Sequence, residues 1–524
     1  MNYTKANLRP EELATLELRG LYEEFGYKKY KMSKFEEYSL YAANKDFLAG
    51  DKVLTFTDLD GRLMALKPDV TMSIIKNVER DQAALQKFYY IENVYRESKN
   101  SNTFKEIPQV GLEYIGKIED KGITEVVALA SETLKIVNGN YILELSHMSF
   151  VEELLKNMEL SEEVHVHLLN LIRNKNRDGI KKVGQKAGIR ERNIDALCKV
   201  TTLYGGFDKT ISGARALVIN DVMEEALDQL ERIYQGLVAL EAEENVQLDL
   251  SMVNDIDYYN GIIFNGYLKG NPGSVLAGGQ YDRAMKKFGK SMGALGFALY
   301  LNEVAKIEDG APTKEEGMLT IALPKGRLGD QVYGLLSQAG YECPSYNDKN
   351  RKLVIENKEK NVRYLLVKPS DVAVYVEHHA ADIGIVGKDI LLETCPDVYE
   401  LKDLDIGKCR MAVAALKGYR DDEEKTLRVA TKYVNVAKKF YQERNRDIEI
   451  IKLNGSIELG PIIGLTDVIV DIVETGSTIK ENSLEVIEEF KQVSARLIAN
   501  KSSYKFKNET INDIVNALGG KNLE

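Results

Sequence analysis

Long apolar runs are missing. No stretch approaches the ~20 uninterrupted apolar residues that a membrane-spanning helix needs, so a helical membrane protein is not expected. Residues 1–18 are polar and charged and lack the apolar core of a signal peptide. Cysteine is scarce: Cys198, Cys343, Cys395 and Cys409 are the only four in 524 residues. They lie far apart, without metal-ligand spacing, and read as reduced thiols of a cytoplasmic protein. Positive charge is in deficit, with a net charge of −11, which argues against broad nucleic-acid binding. An anionic substrate remains compatible, provided its site concentrates local positive charge. There is no internal repeat and no low-complexity tract.

What is present is the balance of a soluble globular protein, 44% apolar and 29% charged. The length exceeds one ordinary hydrophobic core, so two to four domains are expected. Pro10 suits a helix start, Leu18, Leu21, Tyr22 and Phe25 follow helical spacing, and Gly26 is a stop. Strand-like pieces follow at 53–57, 88–95, 109–115 and 141–145. From about 152 to 240 the pattern is helical, the mark of an all-helical insert. Strand character returns at 262–268. The run 308–317 has no apolar period and reads as a linker within 306–317. From Met318 onward short apolar strands (319–323, 364–367, 383–386, 468–473) alternate with helices, an α/β pattern.

The most informative segment is the apolar strand 467–473, followed by Glu474, Thr475, Gly476, Ser477 and Thr478 and then an amphipathic helix. Backbone N–H groups at a helix start bind phosphate, hydroxyls add donors, and Gly476 lets the backbone approach. Asp471 and Glu474 stand at the mouth, suited to ribose hydroxyls. An ordinary strand-to-helix turn with a good cap would look the same. Its neighbours favour a ligand site. Lys325 and Arg327 flank Gly326 after the strand 319–323, Glu458 follows another strand, and the small-residue strand 383–386 ends in Gly387 and the charged pair Lys388 and Asp389. Ligands in such folds bind beyond the carboxyl ends of strands, so these turns suggest one shared cleft. His378 and His379 look like a metal pair, but helix neighbours point apart, and surface histidines are the better reading.

From Met318 to about Gly520 the chain resembles the short-form catalytic subunit of ATP phosphoribosyltransferase. The resemblance rests on Leu323 to Leu328, Ala381 to Glu393, Asp405 to Arg410, Ala430 to Tyr433, Leu453 to Pro461, Gly464 to Thr478 and Ala495 to Ile498. It implies two α/β lobes like a periplasmic binding protein, with 5-phosphoribosyl diphosphate held by 474–478. It also implies attack of adenine N1 of ATP on ribose C1, expelling magnesium-bound diphosphate. Lys325, Arg327 and Mg²⁺ are candidates for the leaving group and the triphosphate. Asp471 and Glu474 are candidates for the sugar hydroxyls and the developing positive charge. No covalent nucleophile is required.

Residues 1–301 are similar to the catalytic core of class II histidyl-tRNA synthetase. The carriers are Leu66 to Thr71, Tyr90 to Glu97, Gln109 to Gly116, Asp257 to Phe264, Ala277 to Asp282 and Gly293 to Leu299. The resemblance implies an antiparallel sheet core with the helical insert, so the fold class expected is α+β followed by α/β. Arg96 matches the family's ATP-binding arginine. Two other arginine positions hold Asn254 and Glu303, and an acid beside a triphosphate is not a tolerable change. The positions for histidine itself persist: Asp69 and Thr71 at the α-amino group, Gln109 and Glu113 in the same pocket, Tyr258 and Tyr259 at the imidazole side. An amino-acid pocket kept beside a broken ATP site resembles the regulatory partner of short-form ATP phosphoribosyltransferases. The expectation is a fused enzyme, with a regulatory module at 1–305 and a catalytic domain at 318–524. Histidine would inhibit it, tRNA would not be charged, and the chain would form a homo-oligomer. A tRNA ligase with an added domain and a non-catalytic solute sensor are the competing readings.

Overall fold

A computed structural model describes residues 8–45, 52–78, 85–98, 103–253, 259–307, 317–346 and 352–518. The chain divides into two compact units, Met1–Thr313 and Lys314–Glu524. Of the expected linker run 308–317, all but Gly317 lies outside the described residues.

In the N-terminal unit, Pro10 opens the Pro10–Glu24 helix, and Glu12 accepts the Arg9 backbone N–H at 2.9 Å to complete its first turn. Leu18 and Tyr22 are buried, but Phe25 is exposed, so the apolar stripe ends one turn earlier than its spacing suggests. The cause is the left-handed Gly26 (φ +82°), which reverses the chain. Tyr27 then donates its N–H to the Tyr22 carbonyl at 2.9 Å, and its own buried ring covers the helix end in place of Phe25.

The core sheet has nine strands, most neighbours antiparallel, in the spatial order Lys28–Lys29, Gln86–Glu97, Phe104–Gly116, Gly293–Tyr300, Ser274–Gln280, Ile262–Leu268, Tyr141–His147, Val246–Asp249 and Tyr204–Gly205. Alternation along Phe104–Gly116 puts Val110, Leu112 and Tyr114 into the core with the Asp120–Val137 helix and turns Gln109 and Glu113 to the other face. The apolar pieces at 88–95 and 109–115 belong to strands that extend past their apolar centres, whereas only Thr55–Thr57 of 53–57 is strand.

The segment after Tyr141–His147 is helical, from Met148–Lys156 to Asp221–Ala239, interrupted only by the two-residue strand Tyr204–Gly205. Asn176 and Asn220 cap two of its helices through their side chains. Buried Lys175 ties this insert to the sheet, donating to Asp249 at 2.9 Å and Ser251 at 2.6 Å.

The C-terminal unit contains two mixed sheets. The six-stranded sheet runs Val354–Asn357, Val362–Val367, Leu319–Pro324, Ile383–Gly387, Ala495–Asn500, Val398–Asp403. The five-stranded sheet runs Ile448–Lys452, Leu427–Thr431, Val468–Val473, Cys409–Leu416, Leu484–Val493. The chain passes from the first sheet to the second through 404–408 and returns at Ser494. These crossings are bonded to each other: Leu404 N–H to the Ala495 carbonyl at 3.0 Å, and Ala495 N–H to the Ile406 carbonyl at 2.9 Å. The helix after the Glu474 loop is not a long amphipathic one. Ser477–Glu481 has five residues, and Ser483, with φ +61°, turns the chain into the next strand.

Candidate active site and amino-acid pocket

In the five-stranded sheet Leu427–Thr431, Ile448–Lys452 and Val468–Val473 are parallel, so Lys432, Asn454 to Glu458 and Glu474 to Thr478 leave from one edge. Cys409–Leu416 is antiparallel to them and starts at that edge, with Arg410 opposite Val473. Arg410 donates to the Glu474 carbonyl at 3.1 Å. The loop itself turns at Gly476, whose φ of +76° is left-handed, and the Thr475 and Ser477 hydroxyls lie 2.9 Å apart.

Acids converge beside it. Asp471, near the end of its strand, accepts the Ile472 N–H at 2.8 Å and has the Lys432 ammonium 4.0 Å away. Burial raises the Asp471 pKa; the Ile472 N–H and Lys432 oppose the rise, and Glu458 and Asp389 add to it. Asp389 comes from the other sheet's Lys388–Thr394 helix and is buried, accepting the Tyr433 hydroxyl at 2.5 Å. Burial pushes the Cys409 thiol up to about 11, with Asp389 and Glu474 adding to the shift. Near pH 7 that thiol is protonated.

Across the same gap Arg327 donates to both carboxylate oxygens of Glu474 at 2.6 Å. Both side chains are more than half exposed, and such surface pairs contribute little, so a polyanion can displace the acid from the arginine. Lys325 is exposed at the preceding turn. Lys388 does not join the cluster. Its ammonium is taken by Glu400, which also holds Arg496 Nε at 2.9 Å.

Among the site residues expected from sequence, Asp389, Glu458, Asp471 and Glu474 are thus brought together, with Arg327 attached through Glu474. Lys432, Tyr433 and Arg410 were not singled out. The same strand-end logic that selected Lys325 applies to Lys432, which follows Leu427–Thr431 directly. His379 departs from the surface reading: half-buried, it has Nδ1 3.0 Å from Asn500 Oδ1 and 3.3 Å from Ser503 Oγ. His378 is exposed. Among the described residues no group of three or more His, Cys, Asp or Glu could hold a metal ion.

The residues expected to hold an amino acid lie in the N-terminal unit around Glu113, which is 2% exposed. Thr71 Oγ1 donates to it at 2.8 Å, and the Tyr281 hydroxyl donates to its other oxygen. Burial nevertheless pushes the Glu113 carboxyl up to about 8, against those hydrogen bonds, with Asp69 adding to the rise. Gln109 is 3% exposed, and its Nε2 has no hydrogen-bond partner among the described residues. Tyr259 packs on Gly279, where an added Cβ would meet its ring at 2.7 Å. Asp69 accepts the Met72 N–H at 2.9 Å and holds Arg96 at 3.2 Å, and Arg96 Nε also reaches the Pro68 carbonyl at 2.8 Å. The cation expected on a triphosphate is thus turned onto Asp69. Glu303 pairs with Lys306 at 2.7 Å. Tyr258 and Asn254 lie outside the described residues.

Two outcomes follow from this packing. A Cβ at position 296 would stand 1.9 Å from Glu113 Oε2 and 2.4 Å from the Leu112 carbonyl. Gly296→Ala is therefore expected to destabilise the N-terminal unit by about 1–3 kcal/mol, measured by thermal denaturation; an unchanged transition would contradict the packing. Glu113 also links stability to pH. Its folded pKa, about 8, lies above the ordinary carboxyl value of 4.5, so the folded state holds the proton more tightly. The contribution is complete below the unfolded pKa and is lost as pH rises through about 8. In denaturant titrations between pH 5 and 9, Glu113→Gln should flatten that decline.

The histidyl-tRNA synthetase family profile matches residues 4–304, and the ATP phosphoribosyltransferase profile matches 368–520. The chain is 62% identical over 208 residues to an ATP phosphoribosyltransferase of Brachyspira hyodysenteriae, covering 40% of this chain and 98% of that protein. It is 53% identical over 200 residues to one of Clostridioides difficile, covering 38% and 95%. A solved structure described as an ATP phosphoribosyltransferase regulatory subunit/histidyl-tRNA synthetase from Bacillus halodurans superposes with a TM-score of 0.52 at 22% identity. It covers 68% of this chain and 94% of that one, and carries the fold alone. With a transferase sequence nearly complete behind a synthetase-like sheet, the chain belongs to the histidyl-tRNA synthetase family through its N-terminal part and to the ATP phosphoribosyltransferase family through its C-terminal part.

Proposed function

We propose that the C-terminal cleft joins ATP to 5-phosphoribosyl diphosphate, the first step of histidine biosynthesis, and that the N-terminal unit senses histidine. The observation that carries the catalytic reading is the convergence of Asp389, Asp471, Glu458 and Lys432 on the Glu474–Thr478 loop. Adenine N1 supplies the electron pair for the new bond to ribose C1, and the C1–oxygen bond breaks toward diphosphate. Ribose C1 becomes electron-poor in between. Asp471 and Glu474 hold the sugar hydroxyls and oppose that charge, while the loop's backbone N–H groups and the Thr475, Ser477 and Thr478 hydroxyls take the 5-phosphate. Arg327, released from Glu474, and Lys325 receive the diphosphate. Mg²⁺ would arrive on the diphosphate and supply positive charge to the leaving group, beside Lys325 and Arg327. The two sheets joined by paired crossings suit two lobes closing on a ligand, as in periplasmic binding proteins. Lys388 acts through Glu400, outside the substrate contacts.

In the regulatory reading the module is 1–305, with 306–317 as linker and 318–524 as catalyst. Asp69, Thr71, Gln109, Glu113, Tyr258 and Tyr259 receive histidine, and the chain assembles as a homo-oligomer. Arg96 turned onto Asp69 supports the loss of the ATP site. Product formation is tested by mass detection of phosphoribosyl-ATP from ATP, 5-phosphoribosyl diphosphate and Mg²⁺; no product would overturn the reading. The same preparation should leave tRNA uncharged, and measurable histidyl-tRNA would contradict the sensor assignment.

A further inference from the structure

In the N-terminal unit a cavity of about 410 Å³ lies where the Asp221–Ala239 helix meets the ends of the sheet strands. Its lining includes His147, Asp221, Glu225, Gln229, Gly261 and Gln280. It opens on the face of the sheet opposite Glu113. Leu145 pairs with Phe264, and the register runs on through Gly278 and Phe297 to Leu112, the chain neighbour of Glu113. His147 is two residues from Leu145 and so shares its face.

The polar groups here are mostly acceptors. Gln229 gives its Nε2 to Asp120 at 3.0 Å, so its Oε1 faces His147 Nε2 at 2.9 Å. That network assigns the ring proton to Nε2 and leaves a lone pair on Nδ1, which is buried without a hydrogen-bond partner among the described residues. His147 is 7% exposed, and burial lowers its pKa to about 4, so the ring is neutral near pH 7. Gln280 donates its Nε2 to Asp282 at 2.6 Å, which leaves its Oε1 against Gly261. At the mouth Asp221 and Glu225 stand one helical turn apart and exposed, with Arg232 on one oxygen of Glu225 at 2.6 Å. Among the described residues no lysine or arginine belongs to the lining.

We propose that this cavity binds a small organic cation rich in N–H donors, with its head group toward His147 and Gln280 and its charge balanced by Asp221 and Glu225. The volume lies in the range of small-molecule sites. The site is separate from the Glu113 pocket and independent of the function proposed for it.

The test is calorimetric titration of agmatine into the full-length protein. Saturable binding is expected. Because Asp221 and Glu225 are exposed, Asp221→Asn with Glu225→Gln should keep the fold, verified by circular dichroism, and weaken binding by about tenfold or more. Thr71→Val, in the other pocket, should leave it unchanged. Three results would each overturn the proposal: no saturable binding, equal binding by the folded double variant, or loss of binding in Thr71→Val.

Discussion

Asp471→Asn is expected to lower the turnover of phosphoribosyl-ATP formation by about 100-fold, the usual scale for losing one preorganised electrostatic group. The side chain keeps its volume and can still accept the Ile472 N–H, so the strand end should hold its shape. On the proposed mechanism, what is lost is a negative charge beside ribose C1 when that carbon turns electron-poor. The partly buried setting makes the loss large, because a charge there is screened less than at the surface. Binding of 5-phosphoribosyl diphosphate should suffer less, since the sugar hydroxyls still meet an amide. Steady-state kinetics separate the two: a fall confined to KM would place Asp471 in ground-state binding, and wild-type kinetics would remove it from the site.

The second large effect is expected on regulation. Glu113→Gln should weaken inhibition by histidine by about 2- to 12-fold, the equivalent of one hydrogen bond from a protonated, neutral carboxyl at about 0.5–1.5 kcal/mol. Uninhibited turnover should change little, because Glu113 belongs to the N-terminal unit and the reaction to the other. Glutamine retains the shape that Gly296 admits and can still accept from Thr71 or Tyr281. Inhibition at a distance also requires two states with different affinity for histidine, so the variant should bind histidine more weakly in direct titration by the same factor. Equal inhibition in wild type and variant would move the effector site away from this pocket.

Much of the frame was legible in the chain itself. Apolar runs bounded by turns become Ile262–Leu268 and Val468–Val473 at the limits their composition suggests, because a buried strand needs a continuous apolar face and ends where polar turn residues begin. The Glu474–Thr478 loop is legible because a buried strand feeds small hydroxyl residues and a glycine at a helix start, where backbone N–H groups can bind phosphate, and because charged turns follow the neighbouring strands. Other parts depend on residues far apart in sequence. Tyr433 meets Asp389, and Lys388 meets Glu400, across distances for which no local pattern exists. Nor does composition reveal that Arg96 turns back onto Asp69, or that the helix after Gly476 is five residues long. Phe25 shows the limit of periodicity: its spacing fits the helix face, but the turn at Gly26 sends Tyr27 into the core instead.

The central claim is that one polypeptide couples a phosphoribosyl-transfer site to a histidine pocket. The most direct test follows initial rates of phosphoribosyl-ATP formation by the full-length protein, with saturating ATP, 5-phosphoribosyl diphosphate and Mg²⁺, as free histidine is raised. The account predicts a saturable fall in rate; an unchanged rate at histidine concentrations that saturate the protein in direct binding would contradict it.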